Sequence, residues 1–129
     1  MTTIGATTWS FPDAYLPALG PPGAPGQVGH ESLCVLNVGH DDAHLVISLF
    51  FSDRPPRRGI AVTVAGERCR HLRFDRPEEI GGVEIPREVP YGIVVDSDRP
   101  VVVQHARLEV AQANMSFLST TLHSHNFRP

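Results

Sequence analysis

At 129 residues, with 41% hydrophobic and 19% charged side chains, the chain is long enough for one domain and too apolar for a disordered one. Its formal charge of −3 comes from eleven arginines, no lysine and fourteen scattered acids, which is not the clustered positive footprint of a general nucleic-acid binder. The apolar run from Leu45 to Phe51 is interrupted by Ser48 and stopped by Ser52-Asp53-Arg54, and Met1 to Gly5 carries no basic segment leading into an apolar one. A single domain over residues 1–129, located in the cytoplasm, is therefore expected.

Short apolar runs, many rich in β-branched residues, alternate with Pro and Gly along the chain, which is the pattern of strands joined by turns. In chain order the expected strands are Gly5 to Phe11, Glu31 to Val38, Ala43 to Ser52, Gly59 to Ala65, Glu67 to Phe74, Tyr91 to Asp96, Pro100 to Val110 and Phe117 to His123. The segment from Leu16 to Gly26 is too proline-rich for a helix or a central strand and reads as a surface loop. Three short links, Gly39 to Asp42, Ala65 to Glu67 and Asp96 to Pro100, read as tight turns between antiparallel neighbours. The best helical stretch, Leu108 to Phe117, is at most one turn or a bulged extension of a strand, and a tail from about residue 123 is expected to be flexible. The fold class is all-β, a two-layer antiparallel sandwich of about eight strands.

Alternation places Leu45, Ile47, Leu49 and Phe51 on one face of their strand, with Val46 and Phe50 on the other. Leu33-Cys34-Val35-Leu36 is likewise apolar on both faces, so a partner sheet leaves one face needing cover, and a homo-oligomer is the economical source of it. Cys34 and Cys69, outside any CxxC pattern, read as small buried hydrophobes.

The run Val101 to Glu109 turns polar toward its end and puts His105 and Arg107 on one face, with Gln104 on the other. Cys69 to Phe74 repeats the idea with His71 and Arg73. If those faces adjoin, two imidazoles and two guanidiniums line a donor-rich groove suited to an anionic or polyhydroxyl ligand. The plainer reading leaves them facing solvent. His30 and Glu31 at a strand entry and Asn37 at its end join the set, although Asn37 before Gly39 is equally turn chemistry. His40-Asp41-Asp42-Ala43-His44 spans a turn without a matching ligand pair, so no metal is assigned. No GxSxG, GxxxxGK[ST] or GxGxxG motif is present, the adjacent carboxylates point apart, and no catalytic residue or cofactor is assigned. The chain reads as a binding or signalling module, not an enzyme.

His30 to Asn37, Asp42-Ala43-His44, Phe50 to Asp53, Arg70 to Phe74 and Pro100 to Leu108, with Trp9 and Ala14 to Pro17, resemble the Anabaena sensory rhodopsin transducer family over most of the chain. The sequence departs from that pattern at Ala106, where Thr is expected, and at Ala14, where Gly is. The resemblance implies a small β-sandwich forming a homotetramer and binding a small polar metabolite such as a sugar. It carries over His30, Glu31, Asn37, His71, Arg73, Gln104, His105 and Arg107 as ligand candidates. A membrane photoreceptor as partner, or DNA binding, are the alternatives it implies.

Overall fold

The computed structural model describes residues 3–20, 28–110 and 115–125. Eight strands form in chain order: β1 (Ala6–Tyr15), β2 (His30–Asn37), β3 (Ala43–Phe51), β4 (Arg57–Val64), β5 (Arg68–Arg73), β6 (Pro90–Glu109), β7 (Ser116–Thr121) and β8 (His123–His125). One 3-10 turn, Pro77–Glu79, is the only helical element among the described residues.

All pairings are antiparallel, and the 20-residue β6 belongs to both layers. Its first half pairs with β1 and β3 in a layer ordered β4-β3-β6-β1-β8, and its second half pairs with β2 and β7, giving a layer ordered β5-β2-β6-β7. The result is an open eight-stranded sheet folded over on itself, with one shared core between its two blocks. Leu33, Val35, Leu72 and Val103 of one layer meet Leu45, Ile47, Leu49, Ile93 and Val95 of the other, all of them buried. Trp9 closes that core beside the bend of β6, its indole N–H shared between the carbonyls of Ala6 (3.1 Å) and Val101 (2.9 Å). Gly5 has φ +97, and a Cβ there would stand 2.5 Å from the Val101 oxygen, so only glycine lets β1 enter so close to β6.

The short links depart from expectation. Asp96 to Pro100 is no turn: the strand runs through it, because β1 and β3 give way there to β2 and β7 as hydrogen-bonding partners. The links after β2 and β4 are not hairpins either, since β2 pairs with β5 and β6 while β3 pairs with β4 and β6. Each carries the chain from one layer to the other, and the two corners pack together. The Gly66 N–H donates to Asp42 Oδ1, Glu67 N donates to the Gly39 oxygen at 2.8 Å, and a Cβ on Gly66 would lie 2.0 Å from the His40 oxygen. Turn residues mark where a chain reverses; they do not say whether it reverses within a sheet or between two.

Two smaller expectations also shift. The tail from residue 123 is ordered as far as His125, because β8 pairs with β1 and Leu122 is buried with its N–H on the Val103 oxygen. Cys34 is half-buried and Cys69 exposed, since both lie on the outer face of the β5-β2-β6-β7 layer; burial, with Cys69 nearby, pushes the Cys34 thiol up. Of the Leu16 to Gly26 loop, residues 21–26 lie outside the described residues, as do 111–114 of the stretch considered for a helical turn. The alternation along β3 holds as read: Leu45, Ile47 and Leu49 are buried, while Val46 and Phe50 remain exposed on the outer face.

Candidate functional site

Strand register decides which polar side chains meet. In β2 the odd-numbered residues Glu31, Leu33, Val35 and Asn37 face the core. Opposite them on β6 stand Arg107 beside Glu31, His105 beside Leu33 and Val103 beside Val35. His105 and Arg107 therefore point inward, between the layers, next to a carboxylate with no solvent exposure.

Four donors surround that carboxylate. Tyr91 O–H donates to Glu31 Oε1 at 2.6 Å, the Tyr15 backbone N–H donates to Oε2 at 2.8 Å, His105 Nε2 lies 2.6 Å from Oε2, and Arg107 Nη2 is 3.8 Å away. Because the carboxylate is already the acceptor for an O–H and an N–H, the Nε2–H of His105 is the donor in the third contact, which leaves Nδ1 as the second polar atom of the ring. Burial first, then the Glu31 charge and the hydrogen bond to it, hold the Tyr91 hydroxyl well above the ordinary phenol range. A buried carboxylate costs several kcal/mol unless it is paired in this way.

Beyond the carboxylate the site opens. His105 stacks on Phe11 at 4.4 Å between ring centroids, and the Arg107 guanidinium lies 5.8 Å over the Tyr15 ring and donates through Nη2 to the Asp13 carbonyl. Arg107 Nε is buried and has no hydrogen-bond acceptor among the described residues. These groups form the floor of a cleft of about 240 Å³, walled by Phe11 and Asp13 of β1 and by Leu118, Ser119 and Thr120 of β7. It holds a guanidinium, an imidazole, the Thr120 hydroxyl and an aromatic face, a set that orients a small polar molecule.

The groove expected from sequence is not formed. His71 pairs with Cys34, which in turn pairs with Gln104; Arg73 pairs with Ser32, which pairs with Ala106. His71 and Arg73 thus lie on the outer face with Gln104, and the thickness of the sheet separates them from His105 and Arg107. Arg73 is held by Asp75 at 2.7 Å, and Gln104 bonds Ser119. Burial would raise the Asp75 carboxyl, but the Arg73 hydrogen bond and charge together hold it below its ordinary range. His30 also points outward, its Nδ1 2.7 Å from the Val28 oxygen. Asn37 is buried at the other end of β2, where its amide donates to the Asp41, Val64 and Ala65 carbonyls and its oxygen accepts from Gly39 N.

Of the eight candidates, then, Glu31, His105 and Arg107 come together, and Tyr91, Tyr15 and Phe11 join them unforeseen. Two signals for this lay in the sequence. Glu31 shares its alternation with Leu33 and Val35, and Tyr91 shares its own with Ile93 and Val95, so a carboxylate and a phenol both stand in apolar register and need partners.

A family model described as Anabaena sensory rhodopsin transducer matches residues 4–124. The chain belongs to the Anabaena sensory rhodopsin transducer family. Two solved structures are similar to this family member, each 35% identical in sequence. Thermotoga maritima 1070 covers 94% of the chain and 96% of its own length with a TM-score of 0.81. The Anabaena sensory rhodopsin transducer covers 84% of the chain and 92% of its own, with a TM-score of 0.71. No curated protein matches the chain significantly. No helix among the described residues is long and apolar enough to cross a membrane.

Proposed function

We propose that this transducer-family domain is a non-enzymatic cytoplasmic sensor that takes a small polar ligand, such as a sugar or related metabolite, in the cleft over His105 and Arg107. One observation carries this reading. Arg107 is 9% exposed, yet its Nε–H has no acceptor among the described residues while its side chain lines an open cleft. A buried donor without an acceptor costs on the order of 1–3 kcal/mol, and a ligand oxygen in the cleft offsets that cost. Phe11 supplies an apolar platform and the Thr120 hydroxyl an exchangeable hydrogen bond around it.

Thermal-shift screening and calorimetry with sugars, sugar acids and nucleosides test the proposal, because a ligand that binds only the folded state raises Tm by mass action. At least one class is expected to raise Tm for the wild-type chain and to lose that effect with Arg107→Ala. A panel without response, or shifts of equal size in the variant, would sink it.

A second reading, transduction by contact with a membrane receptor, draws on the likeness to the Anabaena sensory rhodopsin transducer and on the exposed apolar outer face around Val46 and Phe50. Val46→Asp and Phe50→Asp would then abolish co-purification with a membrane sensor while leaving ligand-induced Tm shifts unchanged.

A further inference from the structure

Both cysteines of the chain stand on one surface. On the outer face of the β5-β2-β6-β7 layer, Cys34 lies opposite His71 and Leu36 lies opposite Cys69, so the two thiols are diagonal neighbours across the pairing of β2 with β5. Cys34 is half-buried, Cys69 is exposed, and both are free. Burial first, and then Cys69, push the Cys34 thiol up, which puts each sulfur within electrostatic reach of the other. Leu36, and beside it Val102 of β6, flank the pair with apolar surface.

Geometry limits what two such thiols can do. Diagonal neighbours in an antiparallel pair lie about 7–8 Å apart, somewhat less between Cβ atoms, whereas a disulfide needs Cβ atoms about 3.5–4.5 Å apart. Direct bonding therefore requires the strands to move. A single ion between the sulfurs does not, because two bonds of about 2.3 Å, the zinc–thiolate length, hold the sulfurs of a linear bridge about 4.6 Å apart. Zinc itself takes three or four protein ligands, and among the described residues no group of three His, Cys, Asp or Glu side chains is placed to hold a metal. Two thiolates without a third ligand suit a soft ion such as Cu(I).

We propose that Cys34 and Cys69 bind one soft monovalent metal ion of the Cu(I) class between them, as a two-coordinate dithiolate site on the outer face of the sheet. Binding is an exchange without electron transfer: two S–H bonds break, two metal–sulfur bonds form, and two protons leave to solvent. Affinity therefore rises with pH. The site lies across the sheet from the cleft over His105 and Arg107 and stands without the sensor reading.

Anaerobic titration of the reduced chain with Cu(I) held in its coloured bicinchoninate complex tests the proposal, since the fall in absorbance counts the ions taken. The wild-type chain is expected to take one Cu(I), to release two protons for it, and to have both thiols shielded from iodoacetamide, as read by mass. Cys34→Ser and Cys69→Ser are each expected to lose the ion to the chelator, and His71→Ala to keep it. No uptake by the wild type, one ion for every two chains, one proton per ion, or a single-cysteine variant that still takes a full ion overturns the site. Loss of uptake in His71→Ala would overturn the two-sulfur assignment. Alkylation needs no variant and keeps the test decisive if a serine variant fails to fold: thiols that react equally fast with and without Cu(I) also overturn the site.

Discussion

The two ends of β2 each bury a polar side chain, Glu31 and Asn37, about 20 Å apart along the strand, and they are satisfied in opposite ways. Asn37 is held almost entirely by main chain: three carbonyls and one N–H from the two corner links close around its amide. Glu31 is held chiefly by side chains, Tyr91, His105 and Arg107, and two of those also line an open cleft. A polar group saturated by backbone is committed to the fold. One saturated by side chains that reach a cleft can respond to what enters it, because those side chains can exchange partners.

The largest expected effect is at the side-chain-held end. Glu31→Ala leaves His105, Tyr91 and Arg107 without their shared acceptor and is expected to cost about 3–5 kcal/mol in denaturant unfolding, the range for breaking a buried charge pair. A loss below about 1 kcal/mol would mean the carboxylate is not the hub of this end. Asn37→Ala leaves several corner carbonyls unpaired and is expected to cost about 2 kcal/mol, with no change in any ligand-induced Tm shift. An altered ligand response in that variant would erase the contrast between the two ends.

Tyr91→Phe comes next, at about 1–2 kcal/mol near neutral pH, since one buried donor to Glu31 is lost. It also carries a pH signature. The folded-state Tyr91 hydroxyl titrates above its unfolded value near 10, so the native chain keeps a proton that the unfolded chain releases. That contribution is present below about pH 10 and is lost as pH rises toward the folded value. Alkaline melting curves should therefore fall less steeply for Tyr91→Phe than for the wild type, and parallel curves would contradict the assignment. The smallest effects belong to the outer face. Arg73→Ala should cost below about 1 kcal/mol, because its pair with Asp75 is partly exposed, and His71→Ala should stay within about 0.5 kcal/mol. Either variant abolishing a ligand response would put the binding site on the wrong side of the sheet.

Much of the fold was legible in the residues. Strand positions followed from period-two alternation and Pro/Gly punctuation, and the buried row Leu45, Ile47, Leu49 came from that period alone. The candidate site was legible in part. Each of His105, Arg107, His71 and Arg73 could be assigned to a face of its own strand, but alternation carries no information about which face of one strand continues which face of another. The missed partner Tyr91 lies 60 residues from Glu31, a distance at which no local pattern speaks.

By itself the sequence determined an all-β chain with its strands, its apolar face and its family, because these depend on local period, turn chemistry and residue order. Tertiary structure decided that Asp96 to Pro100 continues a strand, that the corner links cross between layers, and that Glu31, His105 and Arg107 share the interior while His71 and Arg73 face away. The physical reason is register. A shift of one residue between paired strands reverses every side chain at almost no local cost, so only packing of the whole core selects which polar groups meet.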